Sequence, residues 1–204
     1  MATEKALSEK TFSKNKQASM LKQAVEQILS AVGEDPNREG LSKTPARVAK
    51  MYEELCAGYK QTLDEVVNGA IFHETAAGIV LVKDIEFYSL CEHHMLPFYG
   101  LAHIAYFPDQ KIIGLSKIPR IVEMYARRLQ VQERLTTEVR EAIDQMLQPK
   151  GTAIIVEAQH LCVMMRGVNK TQASMVTTSY SGIFQSDEKL RQEFHQLVYR
   201  QENN

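Results

Sequence analysis

Ile79-Val80-Leu81-Val82-Lys83-Asp84-Ile85-Glu86-Phe87 is the stretch at which the periodicity of this chain changes from helical to extended. Ile79, Leu81, Ile85 and Phe87 alternate with Val80, Val82, Asp84 and Glu86, the two-residue period of a half-buried strand. Leu101 to Phe107 continues as strand, and Pro108-Asp109 turns it toward a short strand at Lys111–Ile113. Ser116 then stands where it can cap a helix that starts at Lys117-Ile118-Pro119 and ends near Arg128. Arg134 to Leu147 has the spacing of a further helix, closed by Pro149-Lys150-Gly151. Thr152 to Ala158 is β-branched and apolar, Met175 to Tyr180 reads as its hairpin partner, and Asp187 to Tyr199 as a final helix. Two hairpin-like strand pairs flanking two helices specify an α+β domain.

Upstream of the period change the pattern is helical. Leu21, Val25, Ile28, Leu29 and Val32 recur at helical spacing from Lys16, and Gly33 can end that helix. Thr44-Pro45 supplies a cap and a first-turn proline to a second helix carrying Val48, Met51, Tyr52 and Leu55. Thr62 and Glu65 have capping-box spacing for a short third helix ending at Val67. The expected organisation is therefore a disordered tail at 1–15, a helical N-terminal arm at 16–70 and the α+β domain at 71–204.

Composition narrows the class of partner. With 44% hydrophobic residues in 204, the chain can bury a core. A net charge of −1 gives no global field for nucleic acid or an anionic membrane, so any bound anion must meet a local cation cluster. No run of apolar residues is long enough to span a bilayer, and Met1 to Gln17 lacks the apolar core of a secretory leader. Three cysteines, two of them in a metal-like pattern, fit a reducing cytoplasm better than a disulfide framework.

The chemistry concentrates in Cys91-Glu92-His93-His94, answered far along the chain by His160-Leu161-Cys162. Cys91, His94 and Cys162 can supply three soft ligands to zinc, and three ligands leave a position for water or substrate. His93 and His160 stand beside ligands, where an imidazole can carry protons. A two-Cys, two-His structural site with His160 as fourth ligand is the main alternative. Read as a strand, His160 and Cys162 would present both side chains to one face at different heights, which lets one bind metal while the other faces a substrate. Ser116, Lys117 and Arg120 surround a predicted helix start, where free N–H groups and the dipole favour phosphate. Arg166 can bring a forked donor near the metal. Arg47 and Lys50 form a helical pair on the arm that also reads as a solvated face. Glu133 can accept paired hydrogen bonds from a ring N–H and an amino group, the donor edge of guanine, or simply serve the helix dipole.

Five segments together resemble the GTP cyclohydrolase I family. They are Leu41-Ser42-Lys43-Thr44-Pro45-Ala46-Arg47-Val48-Ala49-Lys50-Met51-Tyr52, Cys91-Glu92-His93-His94, Ile113-Gly114-Leu115-Ser116-Lys117-Ile118, Gln130-Val131-Gln132-Glu133-Arg134-Leu135-Thr136, and Glu157-Ala158-Gln159-His160-Leu161-Cys162 with Arg166-Gly167. The resemblance spans residues 20–200. It implies a tunnelling fold (T-fold) whose hairpin sheets join around a pentameric barrel. Two such pentamers would stack as a homodecamer with active sites between subunits. It further implies zinc-dependent hydrolysis of GTP to 7,8-dihydroneopterin triphosphate and formate, feeding folate or other pterin synthesis in the cytoplasm. By motif position, Cys91, His94 and Cys162 would hold zinc, and His93 and His160 would be the acid/base pair. Gln132 and Glu133 would hold guanine. Ser116, Lys117, Arg120 and Arg166 would hold the triphosphate, with Arg47 and Lys50 of a neighbouring subunit. A zinc-dependent nucleobase deaminase is the rival enzyme, but its His-x-Glu and Cys-x-x-Cys motifs are not in this sequence.

Overall fold

The computed structural model describes residues 2–74 and 76–200, with side chains from Asn15 onward. The chain divides into two compact units, Met1–Cys56 and Ala57–Asn204. The first contains α1 (Ala2–Ala31) packed on α2 (Thr44–Leu55). A tail at 1–15, separate from the first helix, was expected; the helix instead takes in Ala2 onward, and Met1 lies outside the described residues. Lys43, not Thr44, occupies the N-cap of α2, and no side chain caps it. Pro45 still sits in the first turn, where its missing N–H costs nothing.

Residues 57–70, read from the sequence as part of the arm, lie with the second unit. The reason is burial. α3 (Leu63–Val67) opens with the expected capping box between Thr62 and Glu65, and Val67 sits in the main core with Leu63 and Val66 against it. The 3-10 turn Ala57–Lys60 is tied down by Gly58, whose N–H donates to the Arg127 carbonyl at 3.0 Å.

The second unit is built on one five-stranded sheet. β1 (Ile71–His73) pairs antiparallel with β4 (Lys111–Ile113) as a separate ribbon. The main sheet has the order β5-β2-β3-β6-β7, formed by β2 (Val80–Cys91), β3 (Pro97–Phe107), β5 (Leu129–Gln130), β6 (Gly151–His160) and β7 (Met175–Tyr180). All neighbours are antiparallel except β2 and β5. α4 (Lys117–Ala126) and α5 (Gln132–Leu147) cover one face, and their apolar stripes close on Phe87, Phe98, Ile104, Ile154 and Val156. α7 (Ile183–Ser186) and α8 (Glu188–Tyr199) cover part of the other face, over Ala105, Ala153 and Ile155. The expected α+β arrangement is the one found.

β2 departs from the simple alternation expected of it. Val82 pairs with Ile104 and Ile85 with Ala102, so Lys83 and Asp84 together oppose His103 alone. Asp84 takes φ 60, and its N–H donates to Nδ1 of the buried His103 at 3.2 Å. This bulge exchanges the faces. Ile85 and Phe87 join Val80 and Val82 in the larger core, while Ile79 and Leu81 pack with the α7–α8 cluster. Farther along, β3 and β6 approach so closely at Gly100 that a Cβ there would collide with the Glu157 carbonyl oxygen.

Candidate metal centre

β2 ends at Cys91, and the chain reverses at once. Cys91 N–H donates to the Leu96 carbonyl at 2.9 Å, and Met95 N–H returns to the Cys91 carbonyl at 2.7 Å. Met95 takes φ 54 to close the turn, a conformation costing about 1 kcal/mol outside glycine. This is the tight turn that Cys91-x-x-His94 needs to aim two side chains at one point. Cys162 arrives differently from expectation. β6 stops at His160, and Cys162 lies in the one-turn helix α6 (Leu161–Met164), so a helical turn, not strand alternation, separates its side chain from that of His160.

The ligand atoms of Cys91, His94 and Cys162 all lie within 4.8 Å of one another. Zinc–sulfur and zinc–nitrogen bonds of about 2.3 and 2.0 Å place tetrahedral ligands roughly 3.5–4 Å apart, so the trio can close on one ion by small side-chain rotations. Neither Cys91 nor Cys162 is in a disulfide. Burial and the adjacent Cys91 sulfur push the Cys162 thiol up from its ordinary pKa, while Arg166 works in the opposite direction. A thiol raised in this way binds as thiolate when a soft divalent cation lies beside it. Cys91 is buried and His94 exposed, so the trio is closed toward the core and open outward.

His160 is not part of this trio. Its Nε2 lies 2.8 Å from Gln132 Oε1, and its ring stacks on Phe98 with centroids 4.7 Å apart. A four-ligand site would require His160 to leave Gln132 and turn toward the trio. Burial lowers the His160 pKa, and the nearby Glu133 carboxylate raises it in part. His93 is exposed, with Nδ1 3.9 Å from Cys91 Sγ. Glu133 is exposed in the first turn of α5, while Gln132 beside it is 1% exposed, with its amide bonded to the protein on both ends.

One clamp escaped the sequence reading. Arg134 makes a forked pair with Glu92, at 2.7 and 3.0 Å, and Glu92 N–H donates to the Gln130 carbonyl at 2.9 Å. The ligand turn is thereby fastened to the start of α5, which carries Gln132 and Glu133. No local spacing announces a pair 42 residues apart.

The expected anion residues are placed as follows. Ser116 occupies the N-cap position of α4 but makes no side-chain cap bond. Lys117 begins the helix, and its Nζ donates to the Val66 carbonyl at 3.2 Å. Arg120 and Arg166 are exposed, Arg166 close enough to Cys162 to act on its thiol. Among the described residues no hydrogen bond or ion pair joins Ser116, Lys117 or Arg120 to the Cys-His-Cys trio. Arg47 and Lys50 are exposed on α2 in the first unit, with Lys50 3.9 Å from Glu54.

Comparison with known proteins gives one consistent family. The family model for GTP cyclohydrolase I matches residues 21–199. GTP cyclohydrolase 1 of Leptospira biflexa is 58% identical over 174 residues, covering 85% of this chain and 95% of the relative. GTP cyclohydrolase 1 of Gloeobacter violaceus is 54% identical, covering 86% and 82% of the two chains, and that of Campylobacter jejuni 53%, covering 85% and 92%. Among solved structures, the apo archaeosine synthase QueF-Like matches 52% of this chain and 96% of that chain at 15% identity, with a TM-score of 0.44 too low to add to the fold assignment.

Proposed function

The chain belongs to the GTP cyclohydrolase I family, and from that membership we propose that it hydrolyses GTP to 7,8-dihydroneopterin triphosphate and formate, the entry to folate and other pterin synthesis. The observation that carries the reading is the convergence of Cys91, His94 and Cys162 within 4.8 Å at the mouth of the β2 turn. These three residues would hold zinc. Zinc with three protein ligands supplies Lewis acidity that makes water nucleophilic near neutral pH.

The remaining steps belong to the side chains. His160 hands a proton to N7 of the guanine imidazole ring, which draws electron density from C8 and opens it to attack by water. The C8–N9 bond then breaks, leaving a formamide, and its hydrolysis by a second water releases C8 as formate. His93 moves protons during ring opening and the later rearrangement and closure of the sugar carbons. Glu133 accepts hydrogen bonds from N1–H and the 2-amino group of guanine; adenine lacks this donor pair and would leave the carboxylate unmatched. Ser116, Lys117, Arg120 and Arg166 take the triphosphate, joined by Arg47 and Lys50 from a neighbouring subunit of a homodecamer. Local cations of this kind allow a tetra-anionic substrate to bind a chain of net charge −1.

The deciding experiment incubates the purified protein with GTP, with and without a chelator, and follows pterin fluorescence and formate. Formate release that the chelator stops is the expected result. Ammonia in place of formate would assign the site to deamination, and turnover indifferent to chelation would remove the metal from the reaction.

A further inference from the structure

Gln132 sits at the first position of α5 with its side chain driven inward between two strands. Its Nε2 is 2.9 Å from the Val156 carbonyl, 3.0 Å from the Met175 carbonyl and 3.1 Å from Thr177 Oγ1. Carbonyl oxygens only accept, so the end of the amide facing them must be the NH2 group. The hydroxyls agree. Thr136 Oγ1 donates to the Gln132 carbonyl at 2.7 Å and lies 2.6 Å from Thr177 Oγ1. With the Thr136 proton so used, Thr177 donates to Thr136 and offers a lone pair to Gln132. The orientation of the amide is therefore fixed by its surroundings, with Oε1 toward His160.

An acceptor at 2.8 Å from Nε2 requires a proton on Nε2. Among the described residues no protein group bonds the other ring nitrogen, Nδ1. The Phe98 ring, parallel to the imidazole within 1°, holds the ring plane against rotation. We propose that Gln132 is a positioning residue for His160: it keeps a proton on Nε2 in every state of the ring, so that the neutral ring is the Nε2–H form and the proton passed to the substrate is the one that the ring takes up on Nδ1. This assigns Gln132 a task other than the guanine contact that motif position implies, since its two N–H groups are already committed to protein acceptors. The inference rests on the proposed role of His160 as proton donor.

The test pairs kinetics with a direct view of the ring. In zinc-loaded protein carrying 15N-labelled histidine, with the His160 signals assigned by comparison with His160→Gln, the neutral ring is expected to carry its proton on Nε2. In Gln132→Leu the preference should relax toward a mixture of forms. For the same variant, kcat with GTP should fall about 10- to 100-fold, the usual cost of losing a second partner behind an active histidine, with KM changed less than about twofold and zinc content unaltered. A raised KM at unchanged kcat would make Gln132 a guanine contact and overturn the proposal. An Nδ1–H ring in the wild type would overturn it equally, and that measurement stands even if Gln132→Leu does not fold. Failure of the wild type to release formate would reject the reaction while leaving the ring measurement readable.

Discussion

Cys91 and Cys162 differ from His160 in what their loss should do, because the first two belong to the Cys-His-Cys trio and the third faces Gln132. Cys91→Ser and Cys162→Ser are expected to lose both bound zinc, by elemental analysis, and formate release. His160→Ala should keep its zinc and lose turnover by on the order of 10²–10⁴-fold, the range for a proton-transfer residue. Zinc lost from that variant would return His160 to the ligand set. His103 supports a prediction about stability. Burial, the largest influence, lowers its pKa from 6.5, while Asp84 and Glu157 pull it up and Lys83 down. Its Nδ1 accepts from the Asp84 N–H, so a proton there also removes an acceptor. Above pH 6.5 the ring is neutral in folded and unfolded chains alike; below it the unfolded chain binds a proton first, so stability falls with pH until the folded-state value is passed. Urea midpoints should show this loss in the wild type and a smaller one in His103→Gln. At this scale the ligand trio was legible because Cys-x-x-His is a local spacing that a single turn satisfies. The task of Gln132 was not, because its partners come from β6 and β7, and no residue near it in sequence reveals them.

The elements were read well where one physical signal controls them. Thr62 and Glu65 determine α3 through a local reciprocal bond, and the structure has it as expected. Thr62→Ala should cost about 1 kcal/mol, measured by urea unfolding. Elements that depend on a distant neighbour were read less well. β1 is three residues long and exists because β4 pairs with it, so Ile71-Phe72-His73 carries no alternation of its own. The β2 bulge is similar: two consecutive charged residues, Lys83 and Asp84, interrupt the apolar pattern, but only the pairing with β3 shows that they exchange the faces. Gly100 makes the same point as a prediction. Nothing around it in the sequence suggests a turn, yet a side chain there would enter the β6 backbone. Gly100→Val should therefore prevent normal pairing of β3 with β6, seen as loss of soluble folded protein. A variant that unfolds cooperatively at the wild-type midpoint would mean that the two strands can separate to admit a side chain.

Considered as a whole, the larger unit has an incompletely covered sheet. α4 and α5 close one face, but α7 and α8 cover only part of the other. Tyr88 and Val176, each 54% exposed, and Leu101 lie on the bare part, linked across the strands by the register Tyr88–Tyr99 and Leu101–Glu157–Val176. β7 is an edge strand with one paired side. An uncovered apolar sheet face beside an open edge is a place where another chain can add surface and hydrogen bonds at once. The proposed homodecamer would use both, and would bring Arg47 and Lys50 of one chain to the triphosphate of the next. Assembly and catalysis are then linked. Sedimentation of the wild type should give ten chain masses, and charges introduced by Leu101→Glu with Val176→Glu should shift the protein to smaller species. In those species the KM for GTP should rise steeply while each chain keeps its zinc, because the Cys-His-Cys trio lies within one chain, whereas the proposed triphosphate site would draw Arg47 and Lys50 from the next. Dissociated chains that bind GTP as tightly as the assembly would show that each subunit holds the triphosphate alone, and the shared site would have to be abandoned.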